Sequence, residues 1–198
     1  MKKGFTLIEL LIVIAILAVL AGIVIVALNP AELLKQARDG KRMGDLDSLV
    51  TALNLYLTDV SSPNLCGSAS GCLDGGVCTV STTLAIFNTN SGGAAVVCGI
   101  ASSTTKVDST GWVDVNFGSI SGGSPLAVLP LDPTDSDKYL YAYKATTSPN
   151  LYFELNARLE SIKHRAKMET DGGNQNTCSD YLEATCWYEK GNDPGLDL

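Results

Sequence analysis

The chain has a single histidine, His164, among its 198 residues. One imidazole leaves little scope for the nucleophile–base pairs, His-rich metal sites and proton relays on which most enzymes depend. Phosphate-cradling loops of the Walker or dinucleotide type are missing as well. The glycine pairs at 75–76, 92–93, 122–123 and 172–173 lie among Ser, Asn and Asp and read as loops. No unit repeats at 20–50 residues, which excludes solenoids and propellers. Basic residues are the minority, with 14 Lys and Arg against 21 Asp and Glu and a formal charge of −7. Duplex binding leans on phosphate neutralisation by Lys and Arg, so nucleic acid is not expected as a general ligand. His164 belongs to Lys163-His164-Arg165-Ala166-Lys167. This is read as a solvated basic stretch, with a patch touching DNA, anionic lipid or a neighbouring subunit as the alternative. No catalytic residues, and no enzyme, are expected.

Cysteine is present in an even number: Cys66, Cys72, Cys78, Cys98, Cys178 and Cys186. Five residues separate Cys66, Cys72 and Cys78 in turn, which does not suit Cys-x(2–4)-Cys zinc sites. Disulfides are the reading, over free buried thiols or a metal site. Short loop closure favours Cys178–Cys186, with the other four pairing among themselves in an order that spacing does not select.

The dominant positive feature is an apolar run from Phe5 to Leu28 broken by one acid, Glu9. It exceeds the roughly 20 residues that cross a bilayer as a helix. A carboxylate in such a span costs of order 2.5–3.5 kcal/mol at the bilayer centre and less near an edge, so Glu9 is a functional-site candidate. An ordinary secretory signal places its small-residue cleavage site after the apolar core. Here Gly4 stands before it, directly after Lys2-Lys3. Cleavage after Gly4 removes only the basic tip and takes the formal charge from −7 to −9 by loss of those two lysines.

Lys3-Gly4, Phe5-Thr6-Leu7-Ile8-Glu9 and the apolar run behind them resemble the class III leader of type IV prepilins and type II secretion pseudopilins. The resemblance continues through Ala37-Arg38-Asp39-Gly40-Lys41-Arg42 to about Tyr56. It implies cleavage between Gly4 and Phe5 by a prepilin peptidase that then N-methylates Phe5. It also implies extraction from the cytoplasmic membrane by an assembly platform and its ATPase, and polymerisation through the N-terminal helix, with Glu9 selecting the register of assembly. The expected partners are therefore further copies of the chain, that machinery, and membrane lipid before assembly. The expected function is a structural subunit of a pilus or pseudopilus. The alternative is a low-copy minor pilin acting as an adhesin or DNA-uptake subunit. The implied location is a single pass with the C-terminal domain outside, then an extracellular or periplasmic filament. Lys35, Arg38, Lys41 and Arg42 follow the span and on charge alone argue the opposite orientation. The cysteines and the leader type are given more weight.

The implied fold is α+β and pilin-like: a leader at 1–4, a membrane and filament-core helix at 5–28, an amphipathic half at 29–60 and an extracytoplasmic domain at 61–198. Within 46–60 the apolar stripe Leu46, Leu49, Val50, Leu53, Tyr56, Leu57 and Val60 supports the amphipathic half independently. Pro30 is expected to kink the long helix and Gly22 to soften it. Residues 35–45 are polar nearly all round, and neighbouring subunits are expected to stabilise them. Residues 61–111 read as a disulfide-tied loop region with short strands at 83–87 and 94–100. The sheet is expected within 112–160, from period-two alternation at 112–117, 138–144 and 151–159 and a turn at 146–150. An irregular tail is expected at 161–198. Leu129-Pro130-Leu131-Asp132-Pro133 and Tyr139-Leu140-Tyr141 resemble the region before the sheet in major pseudopilins, a family that usually binds calcium near its sheet. Calcium is the one candidate cofactor, with Asp132, Asp135 and Asp137, or Glu169, Asp171 and Asp180, as possible ligands. None of these fits an EF-hand loop, and turn-forming or capping acids are the alternative.

Overall fold

The computed structural model describes residues 4–67, 77–80, 100–101, 104–136, 138–146, 149–174, 176, 178 and 186–196. Its N-terminal third is helical in two pieces, α1 at Leu7–Leu28 and α2 at Pro30–Asp59. The expected kink is thus a break between two capped helices. Asn29 takes a left-handed φ of 41°, ends α1, and its side-chain oxygen accepts the Glu32 N–H at 3.4 Å. Asn tolerates this region better than most residues. Pro30 then occupies the first turn of α2, where its missing N–H costs nothing. Gly22 interrupts nothing, because α1 runs through it.

The remaining elements are β1 (Val77–Val80), β2 (Ile100–Ala101), β3 (Tyr141–Ala145), β4 (Phe153–Ala157), the short α3 (Ile162–Arg165) and β5 (Tyr188–Gly191). They form a sheet in the order β2-β1-β3-β4-β5. Antiparallel pairing joins β1, β3, β4 and β5, and β2 adds in parallel to β1. Tyr143 stands opposite Leu155 and Lys144 opposite Glu154. The chain is a long N-terminal helix packed on a small antiparallel sheet, the pilin-like α+β arrangement.

The packing follows the helical stripe. Leu46, Leu49, Ala52, Leu53 and Tyr56 of α2 are buried in one core with Trp112, Phe117, Tyr141, Tyr143, Phe153 and Leu155. The polar ends of its tyrosines are bonded. The Tyr143 hydroxyl donates to Leu65 O at 2.8 Å and Tyr141 to Asp45 Oδ2 at 2.8 Å. Both strands of the β3–β4 hairpin are buried on both faces, including Lys144, Glu154 and Asn156, so they are not half-exposed as alternation suggests.

Two expectations are corrected. Residues 112–117 form no ladder. The Val115 N–H turns back to Val113 O at 2.9 Å, Trp112 Nε1 donates to Pro130 O at 2.9 Å, and Phe117–Ser119 is a 3-10 turn. Their alternation is that of a buried loop in which Asp114, the nominally outward residue, is also inside. Conversely, the tail supplies β5, whose pairing to β4 was hidden by its short length and its Gly- and Asp-rich flanks. The strands expected at 83–87 and 94–99 lie outside the described residues.

Candidate functional site

Two regions carry the chemistry: the start of α1 and the buried face of α2. At the first, Gly4, Phe5 and Thr6 precede the helix in non-helical backbone, and Phe5 is 81% exposed. The Gly4–Phe5 peptide is therefore open, and apart from the adjoining residues no described atom comes within 4 Å of where a Gly4 Cβ would sit. Thr6 is the N-cap. Glu9 Oε2 accepts from the Thr6 N–H at 2.9 Å and from its hydroxyl at 2.8 Å, and the Glu9 N–H donates to Thr6 Oγ1 at 3.3 Å. This reciprocal capping box satisfies two orphan donors at a helix start, where a carboxylate is also favoured by the helix dipole. The Glu9 carboxylate thus has a partner inside its own chain. Behind it, Leu7–Ile25 has a mean hydropathy of 3.1 and buries nothing against the rest of the molecule.

At the second region, α2 places Asp39 and Arg42 one turn apart, both inaccessible to solvent. Arg42 uses all five of its N–H donors. Nε and Nη2 hold Asp132 at 2.6 and 2.9 Å, and Nη2 also reaches Thr134 Oγ1 at 3.1 Å. Nη1 meets Asp39 at 3.0 Å and Glu160 at 2.6 Å. The Tyr139 ring lies 4.9 Å from the guanidinium carbon. Arg38 grips Glu160 in a fork at 2.8 and 2.6 Å. Asp39 in turn accepts the backbone N–H groups of Glu160 and Ser161 at 2.8 and 2.7 Å, fixing the chain where β4 gives way to α3. Burial alone raises the Glu160 carboxyl, but the two guanidiniums outweigh it and hold it down at about 2. Burial disfavours the Arg42 charge, yet Asp132 and Glu160 reverse that and keep it firmly protonated. The polar stretch of α2 expected to need neighbouring subunits is therefore anchored on the chain's own domain.

Residues 1–25 match the family described as the prokaryotic N-terminal methylation motif. The chain carries the class III prepilin leader of the type IV pilin and pseudopilin family. No curated protein and no solved structure matches it. Proteins of the pilin family are structural, not enzymes. The motif that matches includes Gly4, Phe5 and Glu9, so the pilin leader and the open, capped geometry at the start of α1 coincide.

The other candidate residues are placed as follows. Cys178 and Cys186 are joined, as short loop closure favours. Cys66 is also in a disulfide. Cys78 lies on β1, while Cys72 and Cys98 lie outside the described residues. Of the calcium candidates, Asp132 is taken up by Arg42, and Asp135 is exposed with its N–H 3.3 Å from Asp132 Oδ1. Asp137 and Asp180 lie outside the described residues. Asp171 accepts the Glu189 and Gly173 N–H groups at 2.8 and 3.1 Å, and Glu169 is exposed. Among the described residues no group of three His, Cys, Asp or Glu is arranged to hold a metal. His164 lies with Nδ1 3.8 Å from Asp39 Oδ2, at the edge of the buried charges and not in solvent. The Arg42 cluster itself escaped sequence reading. Its one local signal was an acid and a base three residues apart on a helix that is otherwise amphipathic.

Proposed function

We propose that the chain is a structural subunit of a type IV pilus or pseudopilus, stored in the cytoplasmic membrane and then polymerised through α1. One observation carries this reading. Every large apolar side chain from Phe5 to Ile25 is at least 45% exposed, beneath a matched N-terminal methylation motif. Burying ten such side chains at about 1.5–3 kcal/mol each amounts to about 15–30 kcal/mol in all, above the roughly 5–15 kcal/mol that hold a whole domain together. Water is not a tolerable medium for such a helix. Lipid covers it in the stored subunit, and identical helices cover it in a fibre.

In this reading the peptidase cuts Gly4–Phe5 and methylates the new amine, which stays cationic. The machinery then extracts the subunit. Passing from lipid to a helix bundle gains little from apolar burial, so packing and polar pairing select the register. Glu9 exchanges its Thr6 contacts for, or shares them with, the Phe5 amine of a neighbouring copy. An unpaired carboxylate in that dry bundle disfavours a misplaced subunit by several kcal/mol. The Arg42 cluster keeps the globular domain at a fixed angle on α2, so that every copy presents the same outer surface.

Shearing surface fibres from the native cell, imaging them and sequencing their subunit by mass spectrometry tests the proposal. The expected result is this chain as the shaft, beginning at N-methylated Phe5. Fibres lacking the chain along the shaft would point to a low-copy tip or binding subunit. A mature form beginning elsewhere would overturn the processing scheme.

A further inference from the structure

The basic stretch Lys163–Lys167 is not accounted for by assembly, and its position along α2 suggests what it meets. The Ile162 N–H donates to Glu32 Oε1 at 2.7 Å. Ser161 is held by Asp39, and Lys167 Nζ lies 3.2 Å from Met43 Sδ. The stretch therefore climbs α2 away from the membrane helix, and Ile162 and Lys163 are its lowest point. Glu32 follows Leu28, the last residue of the apolar run, by four residues, across the break at Asn29. The opposite end of the domain is marked by Ser121, whose N–H donates to Asp59 Oδ2 at 2.6 Å, at the far end of α2.

Among the described residues after α2, Ile162 is 75% exposed and the next most exposed large apolar side chain, Val128, 60%. Leu33 and Leu34, which follow Glu32 in α2, are 49% and 62% exposed. The acids at this end are engaged within the protein, Glu32 by the Ile162 N–H and Glu160 by Arg38 and Arg42. Lys163 is exposed and Lys35 half-buried. Neither has a carboxylate within ion-pair distance among the described residues. Apolar tips with lysines near them, a few residues beyond the end of an apolar span, match the boundary of acyl chains and phosphate headgroups, where apolar side chains sink about 5–10 Å and lysines extend to phosphate.

We infer that Ile162, Lys163 and Lys35 form a foot by which the globular domain rests on anionic phospholipid of the bilayer that holds α1. The domain is thereby held against the membrane surface before extraction. Each basic residue at such a surface shifts the docked-to-free ratio by about fivefold. The inference requires α1 to be inserted but does not require that the chain build a fibre.

The test uses the full uncut chain in lipid nanodiscs, with isoleucine methyls labelled for NMR and a gadolinium-chelating headgroup lipid as the relaxation probe. In phosphatidylglycerol-containing discs the Ile162 methyl is expected to broaden, while that of Ile120, near the Asp59 end, does not. The docked-to-free ratio is expected to fall about 25-fold with Lys163→Glu, which removes one positive charge and adds a negative one, and by a similar factor in pure phosphatidylcholine, where the contributions of Lys35 and Lys163 are both lost. Insertion is read separately from the methyls of Ile8 to Ile25, using an acyl-chain spin label. With α1 inserted, Ile162 broadening no greater than that of Ile120 overturns the foot. Equal broadening in both lipids, unaltered by Lys163→Glu, overturns its assignment to anionic headgroups.

Discussion

Arg42 and Asp132 meet in a two-point ion pair, Nε to Oδ2 at 2.6 Å and Nη2 to Oδ1 at 2.9 Å, although they stand 90 positions apart in the sequence, and neither side chain is accessible to solvent. Buried pairs are not reliable sources of net stability, but breaking one strands a charge. Arg42→Ala leaves Asp39, Asp132 and Glu160 facing one another, and its expected cost is about 3–5 kcal/mol in urea unfolding. Arg42→Lys should recover only part of this, because one ammonium cannot reproduce five donors in a planar fork. A loss below about 0.5 kcal/mol, the range of ordinary surface substitutions, would show that the cluster does not anchor α2.

Glu160 gives the domain a pH dependence whose sign can be worked out. Its folded carboxyl titrates at about 2, below its ordinary value of 4.5. Between those values the unfolded chain binds the proton and the folded one does not, so stability rises with pH across that window. The contribution is complete above about pH 4.5 and lost as pH falls towards 2, with a ceiling of about 3 kcal/mol. Asp45, raised by burial against the Tyr141 hydrogen bond, works in the opposite sense. Comparison with Glu160→Gln therefore isolates the effect. Urea midpoints from pH 2 to 5 should climb more steeply for the native chain than for the variant, and parallel curves would reject the assignment.

The Cys178–Cys186 disulfide lies directly before β5, which starts at Tyr188. Closing so short a loop is worth about 2–3 kcal/mol in the chain-entropy account. The tethered strand is an edge strand, paired only with β4 among the described residues. Replacing both cysteines by serine should therefore loosen β5 first. Amide exchange is expected to quicken at residues 188–191 well before β3 and β4 respond. Uniform acceleration across the sheet would mean instead that the bridge stabilises the domain as a whole.

What could be read in advance divides along physical lines. The leader, α1 and the stripe from Leu46 to Tyr56 are local patterns, in which period and composition specify the element. Asp39 and Arg42 fell in a polar stretch expected to need neighbouring subunits, because their partners Asp132 and Glu160 come together only when the chain folds back. The stretch 112–117 shows period two without a ladder, since the Val115 N–H turns back to Val113 O and only Asn116 makes an isolated antiparallel bridge, to Asp108. Strand β5 is four residues long and ends at a glycine, too short for alternation to separate it from a turn. Glu9 stood out because an acid in an apolar run is costly, but its bond to Thr6 required knowing that the helix begins at Leu7.

That bond permits a sharper test of Glu9 than removal. Cleavage at Gly4–Phe5 leaves the Thr6 N–H an ordinary amide, so the capping box survives processing and the stored subunit keeps its carboxylate partnered. Two roles are then superimposed: starting the helix, and offering a negative charge to a neighbouring amine. Glu9→Gln separates them, because its amide oxygen still accepts from Thr6 while the charge is gone. Glu9→Leu removes both, and losing the cap interaction alone costs about 1 kcal/mol. Both variants should be cleaved normally and remain in the membrane. If charge pairing selects the register, Glu9→Gln should be as poor as Glu9→Leu in fibre yield from cells lacking the native copy, while its α1 amides near Leu7 exchange at the native rate. Native fibre yield from Glu9→Gln would show that assembly needs the cap and not the charge.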